Sequence, residues 1–207
     1  MIEQPPPHTP RRVESDLKRL EAFSDGVMAV IITIMAFNLK PPAAPTTAAL
    51  AARMPELLVY ALSFAFIAIY WNNHHHLLRS ATRLNAAVMW SNLHLLFWLS
   101  LIPVLTAWLA NDYRQSLPAA IYGSVAFVAG FAYFLLVRAL IRANGRQSAL
   151  ALAVERDSKG IASVVIYGLG VAAAFVSPWI SYALYVAVSI IWIVPDPRLT
   201  RPGKAAG

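Results

Sequence analysis

The sequence predicts an all-α integral membrane protein, from its composition, its long uncharged segments and the placement of its basic residues. Of 207 residues, 58% are hydrophobic and only 13% are charged, a balance that water-soluble domains of this size do not normally show. Several segments approach the roughly 20 apolar residues that a helix needs to cross a bilayer core. The chain has no cysteine, which excludes disulfides and thiolate metal sites.

The hydrophobic segments divide the chain into two tails and one membrane domain. We interpret residues 1–18, which are polar and proline-rich, as a retained cytosolic tail, and residues 196–207 as a second one. Residues 19–195 form the predicted six-helix domain, with spans at about 21–39, 56–78, 86–110, 118–141, 160–176 and 178–194. Pro103 is expected to kink the third span, and Pro178 to separate the fifth from the sixth, because proline interrupts helical hydrogen bonding.

The basic residues fall mainly on one side of these six spans. Three lie on the opposite side: Lys40, Arg53 and Arg114. Fourteen share the first side: Arg11, Arg12, Lys18, Arg19, Arg79, Arg83, Arg138, Arg142, Arg146, Arg156, Lys159, Arg198, Arg201 and Lys204. The positive-inside rule therefore predicts a plasma-membrane protein with both termini in the cytoplasm. Basic residues at the ends of apolar segments, rather than in one patch, argue against a nucleic-acid partner.

The first span begins with a cluster of polar and charged residues, Arg19, Ser24 and Asp25, at the entrance of an apolar helix. A charge at membrane depth usually faces other helices and finds a partner there. We therefore expect Arg, Trp or His side chains of neighbouring helices to hold Asp25. The alternative interpretation is a helix cap, since Ser and Asp are common N-cap residues.

The first span contains an R-x-x-x-F-S-D motif, formed by Arg19, Phe23, Ser24 and Asp25. This motif is the signature of the transmembrane protein 175 family, which the sequence resembles. The family comprises lysosomal and prokaryotic potassium channels. The resemblance is dense in the first half of the chain and extends only to hydropathy in the second. Further matching positions are Thr33, Lys40, Pro41, Trp71, His74, His75, Asn92, Leu93, Leu95, Leu96, Phe97, Leu101, Ile102 and Pro103.

The resemblance implies a homotetramer whose first helices line a central pore. In the family, apolar side chains at i, i+4 and i+7 narrow the pore, and these fall here on Val30, Ile34 and Phe37. Such a ring blocks ions by dewetting. Thr33 lies on nearly the same stripe, where four hydroxyls would meet a potassium ion transiently, without a fixed metal site. Ordinary packing of this face, with Thr33 bonded to its own helix, is the alternative.

Two positions near the expected outer mouth depart from the family pattern. Phe37 stands where members usually carry leucine, and Asn38 where an acidic residue is frequent. Phenylalanine would narrow the constriction. Loss of a ring of carboxylates would weaken the local attraction for cations.

A second polar group lies near the cytosolic end of the second span, where Trp71 and His75 are four residues apart and share a helical face. The resemblance implies a structural network of these residues with His74 and with the motif of the first span. A metal site on His74, His75 and His76 is disfavoured, because adjacent side chains on a helix point about 100° apart. Asn92, in the third span, favours an interhelical hydrogen bond.

The sequence and the resemblance together predict a potassium-favouring cation channel rather than an enzyme, with no cofactor. The expected partners are potassium ions, the lipid bilayer and further copies of the chain, and permeation by other monovalent cations or protons stays open. A secondary transporter is the alternative function, although the chain shows no internal repeat. A membrane enzyme ranks next, since Asp25 and the histidines could meet in space.

Overall fold

The computed structural model describes residues 10–145, 147–148, 151 and 158–193, and the helices within them form one bundle. In chain order these helices are α1 (Pro10–Phe37), α2 (Thr47–Ala52), α3 (Met54–Arg79), α4 (Ala86–Ser100), α5 (Ile102–Asn111), α6 (Ser116–Asn144), α7 (Ser158–Ala174) and α8 (Pro178–Ile193). The fold among these residues is therefore helical throughout, as the composition predicts.

Four helical segments are long and apolar enough to cross a membrane: Ser15–Phe37, Met54–Arg79, Ala86–Asn111 and Ser116–Asn144. They correspond to the first four predicted spans. Helix α1 begins at Pro10, so residues 10–18 of the predicted tail continue the first helix. Residues 1–9 of that tail, the tail at 196–207 and the basic residues Arg146, Arg156, Arg198, Arg201 and Lys204 lie outside the described residues.

The third long segment is interrupted between α4 and α5. Leu101 caps both helices with helical backbone angles, and Pro103 lies in the first turn of α5. Because proline has no N–H to donate, it cannot continue the hydrogen-bond ladder of α4. Pro103 therefore interrupts the third span, as the sequence predicts.

Helices α7 and α8 form an antiparallel hairpin of shorter helices, with 17 and 16 residues. Each is about 25 Å long at 1.5 Å per residue. The turn between them lies at residues 175–177, immediately before Pro178. At the other end of the hairpin, Lys159 Nζ donates to the carbonyl of Ile191 at 3.1 Å.

One end of the bundle, where α3 and α6 terminate, carries Arg79, Arg83 and Arg142, and we call it the arginine-rich end. The Asn144 side chain joins these two helix ends. Its Oδ1 accepts from the backbone N–H groups of Thr82 at 2.7 Å and Arg83 at 2.8 Å, in the loop after α3. Its Nδ2 donates to the carbonyl of Leu140 at 2.9 Å. One asparagine therefore fixes the loop between α3 and α4 against the end of α6.

Helix α6 packs against α4, α5, α7 and α8, and it does so with a stripe of small buried residues. Small residues let helix backbones approach closely, and the resulting packing is one source of helix association in lipid. At Gly123 the space that a Cβ would need is occupied by the hydroxyl of Tyr185, which donates to the carbonyl of Ala119 at 3.0 Å. Gly170 of α7 leaves space for the same ring. Tyr185 thus fits between two glycines.

We expect Gly123→Ala to lower the free energy of unfolding by about 1–3 kcal/mol, since overpacking forces the Tyr185 ring to shift. Gly168→Ala is the matched control, because a Cβ there meets Phe127 at an ordinary 3.7 Å. The measurement is the apparent melting temperature of the detergent-solubilised protein by size-exclusion chromatography after heating. Equal melting temperatures for the two variants would contradict this account of the Tyr185 packing.

Candidate functional site on the first helix

Helix α1 is buried along one face. The side chains on this face follow a helical spacing of three and four residues, and each is at most 8% exposed: Leu20, Ser24, Met28, Ile31 and Met35. They pack against α3, α4 and α5. This periodicity defines the rotation of α1 in the bundle, because it keeps one helical face in contact with the neighbouring helices.

The opposite face of α1 is uncovered. Phe23 is 54% exposed, Val30 57%, Ile34 45% and Phe37 82%, and Thr33 between them is exposed as well. A Cβ at Gly26 would meet nothing within 4 Å, so the uncovered face is continuous along the helix. An exposed apolar face of this length requires either lipid or another protein surface to cover it.

Thr33 uses its hydroxyl proton within its own helix. Its Oγ1 donates to the carbonyl of Ala29 at 2.8 Å, which is the local bond that the sequence leaves open as an alternative. The oxygen keeps its lone pairs, and these lie on the exposed face. The threonine side chain therefore offers an acceptor, rather than a donor, to whatever meets this face.

A chain of buried hydrogen bonds joins α1, α3 and α4. Ser24 Oγ donates to the carbonyl of Leu20 at 2.9 Å and accepts from Asn92 Nδ2 at 2.9 Å. Asn92 Oδ1 lies 2.7 Å from His74 Nε2. Because the amide oxygen can only accept, His74 must carry its proton on Nε2. Ser24, His74 and Asn92 are each fully buried, so this chain holds three helices together at one level.

His75 lies on the neighbouring face of α3, towards α1. Its ring stacks on Trp71 with centroids 5.9 Å apart, and its Nδ1 lies 2.8 Å from the carboxylate of Glu21. Arg79 Nη1 lies 3.3 Å from the other ring nitrogen and, as a donor, requires that nitrogen to accept. His75 therefore connects an acid of α1 to a base at the end of α3.

Arg19, Phe23 and Asp25 complete the motif without joining this chain. Arg19 and Phe23 are exposed. Asp25 is half-buried, and its Oδ1 is inaccessible and has no hydrogen-bond partner within the described part of the chain. Of the residues predicted to brace α1, the structure thus brings together Ser24, His74 and Asn92 in one group and Trp71 and His75 in another.

The three consecutive histidines point in different directions. His74 is buried against Asn92, His75 faces Glu21, and His76 is exposed. Over the residues that the structure describes, no group of three or more His, Cys, Asp or Glu side chains could hold a metal ion.

Sequence reasoning missed two features of this site. Glu21, rather than Asp25, meets His75; its position one turn before Asp25, on the same helical face, was an available signal. A second buried polar cluster lies further along α3, where Ser63 Oγ is 2.7 Å from Thr106 Oγ1 and 3.1 Å from the Tyr122 hydroxyl. A serine inside an apolar stretch signals such a cluster but does not identify its partners.

These features define a helical membrane protein in which one helix is fixed by polar bonds on one face and left uncovered on the other. Residues 19–103, which contain both faces and the hydrogen-bond chain, match the family model "Endosomal/lysosomal potassium channel TMEM175". A potassium channel of Chryseobacterium sp. (strain P1-3) is 43% identical over 186 residues, which are 90% of this chain and 97% of that protein. The chain therefore belongs to the TMEM175 family.

Two further comparisons agree with this assignment. A potassium channel of Streptomyces collinus (strain DSM 40733 / Tue 365) is 34% identical over 179 residues, covering 81% of this chain and 86% of that protein. The crystal structure of a lysosomal potassium-selective channel TMEM175 homolog from Chamaesiphon minutus superposes with a TM-score of 0.73. That match covers 86% of this chain and 97% of the other at 24% identity, so it shows a common fold.

We expect Asn92→Leu to destabilise the protein by about 1–3 kcal/mol, because it leaves the buried His74 Nε2–H without an acceptor. Asn72→Leu on α3 is the matched control, since Asn72 is exposed. The measurement is again the apparent melting temperature. Combining Ser24→Ala with Asn92→Leu should cost less than the two single changes added together, because both remove the same hydrogen bond. Strict additivity would count against the hydrogen-bond chain.

Proposed function

We propose that the chain is one subunit of a potassium-favouring cation channel, in which four copies surround a central pore lined by α1. The relatives named above are called potassium channels, which makes ion conduction the function to test first. The observation that carries the proposal is the uncovered face of α1 opposite its buried stripe. Four such faces around one axis would cover one another and enclose a path through the bilayer.

The proposed constriction consists of Val30, Ile34 and Phe37. Their side chains are between 45% and 82% exposed in the single chain, so none of the helices that the structure describes covers them fully. Rings of such side chains exclude water at close approach, and a dewetted segment is a barrier to ions. Ile34, near the middle of the face, is the first candidate for the gate.

Thr33 is the proposed contact for the ion. Its proton is donated to Ala29, so four copies would present oxygen lone pairs to the axis. Oxygen ligands can replace part of the hydration shell of a cation. This supports a transient potassium position at the level of Thr33.

The proposed topology has six spans and both termini in the cytoplasm. Helices α7 and α8 extend from Lys159 at the arginine-rich end to the turn at 175–177, and Tyr182 of α8 donates to the carbonyl of Tyr113 at 2.6 Å in the loop after α5. The hairpin therefore runs the length of the bundle although each helix is short. The excess of basic residues at the arginine-rich end supports placing that end in the cytoplasm.

The outer mouth of the proposed pore has little negative charge to attract cations. Asn38 supplies no carboxylate there, and the nearby Glu56 is paired with Arg53 at 2.9 Å and accepts from the backbone N–H of Lys40 at 3.3 Å. Cation attraction at pore entrances scales with unneutralised charge. We infer that the rate of conduction depends more on the constriction than on electrostatic attraction of cations at the pore entrance.

We expect Ile34→Ala to raise potassium flux into liposomes severalfold, because truncating four side chains widens and wets the constriction. The measurement compares purified wild type and variant in liposomes with an inward potassium gradient, and a potassium-sensitive fluorescent dye inside the liposomes reports the influx. Ile190→Ala on α8 is the matched control, an isoleucine that is 55% exposed away from α1. If wild type and Ile34→Ala are both folded and neither conducts potassium, the channel proposal is wrong.

We expect Thr33→Val to reduce the preference for potassium over sodium, since valine keeps the shape of threonine but offers no oxygen to the ion. Thr33→Ser keeps the hydroxyl and should retain the preference. The measurement is the reversal potential of proteoliposome patches with potassium on one side and sodium on the other. An unchanged reversal potential in Thr33→Val would assign selectivity to other groups.

A further inference from the structure

A cavity lies between α3, α6, α7 and α8 in the arginine-rich half of the bundle, on the side of α3 away from α1. Its volume is about 60 Å³. That is several times the space one water needs. Five aromatic rings line it: Phe66, Tyr70, Tyr133, Tyr167 and Trp192.

Some polar groups of the cavity are already paired within the chain. Tyr133 donates to the carbonyl of Asn73 at 3.3 Å, and Ser163 Oγ accepts from Trp192 Nε1 at 2.7 Å. The hydroxyls of Tyr70 and Tyr167 have no hydrogen-bond partner among the described residues. Tyr167 is only 5% exposed. Neither hydroxyl oxygen is sealed off from the cavity, so both can donate to an acceptor that enters it.

The Tyr70 hydroxyl lies beside a glycine of α6. It lies 3.7 Å from where a Cβ on Gly130 would be, and Gly130 is itself part of the wall. The glycine therefore leaves the space in front of this hydroxyl open.

The lining selects for an uncharged molecule. No charged side chain lines the cavity among the described residues, so a carboxylate or ammonium would lose its hydration without gaining a counter-charge. Aromatic walls favour an apolar body, and two hydroxyl donors favour an oxygen acceptor. We propose that the cavity is a binding site for a small uncharged amphipathic molecule of the medium-chain alcohol class, with its oxygen at Tyr70 and Tyr167.

The site lies directly behind the hydrogen-bond chain that holds α1. Phe66, Tyr70 and Asn73 of α3 face the cavity, and the next residue, His74, contacts Asn92. A molecule in the cavity therefore bears on the same turn of α3 that fixes the first helix. Binding is independent of the proposed channel function, whereas an effect on conduction would rest on it.

The test uses a diazirine-bearing medium-chain alcohol as a photoaffinity probe on the full chain in lipid nanodiscs, with adducts located by mass spectrometry. We expect saturable labelling concentrated on Tyr70, Tyr133 and Tyr167, reduced severalfold by excess 1-hexanol. Tyr70→Phe combined with Tyr167→Phe should reduce it severalfold. Tyr60→Phe is the matched control, because Tyr60 is a half-buried tyrosine of α3 outside the cavity.

A second variant narrows the cavity without removing a hydroxyl. In Gly130→Ala the added methyl group lies 3.3 Å from Val164 and in front of Tyr70, and it should also weaken labelling, whereas Gly168→Ala should not. Labelling spread over lipid-facing side chains, unchanged in all variants, would overturn the proposal. Competition by tetramethylammonium in place of hexanol would overturn the choice of ligand, since it would identify a cation cage. Failure of potassium flux would leave these binding results unaffected.

Discussion

The bundle depends on the need of polar groups at membrane depth to find partners on other helices. Lipid tails are as apolar as leucine, so helices in a bilayer gain no hydrophobic association and are held by close packing and hydrogen bonds. Asn92 donates to Ser24 and accepts from His74, which links α4 to α1 and α3. Rotating any of the three helices would leave one of these groups unpaired, and the rotation of α1 in turn determines which of its side chains remain uncovered.

The two halves of the bundle are held by different means. Around α1 the contacts are polar at two levels, with the Ser24 chain towards the arginine-rich end and the cluster of Ser63, Thr106 and Tyr122 further along. Around α6 the contacts are made by small residues and by one large ring. Tyr185 fits between Gly123 and Gly170. Tyr122 belongs to α6 and reaches Ser63 of α3, so it links the two halves. The bundle is therefore one unit in which α1 lies at the edge.

The sequence predicts the faces of individual helices well and the contacts between helices poorly. The spacing of Val30, Ile34 and Phe37 places them on one face, and the structure leaves that face uncovered. Asn92 is predicted to make an interhelical hydrogen bond, and it does. The periodicity of one helix does not give its rotation or height relative to the next, and for that reason Glu21 was not predicted to meet His75. The cavity behind α3 needs four helices at once, which no local pattern encodes.

In the proposed channel, opening moves Val30, Ile34 and Phe37 away from the axis, either with α1 alone or with α1 and its neighbours together. Moving α1 alone breaks the Ser24 to Asn92 bond, at about 0.6 kcal/mol for an average hydrogen bond in a membrane protein. It also unpacks Met28, Ile31 and Met35, which are 1–3% exposed. Each such side chain makes tens of atom contacts, and each contact contributes about 0.1–0.2 kcal/mol. Packing therefore contributes more free energy to the position of α1 than the hydrogen bond does, so α1 should move together with α3 and α4. The hydrogen bond mainly determines the register of the three helices, and it contributes less to the strength of their association.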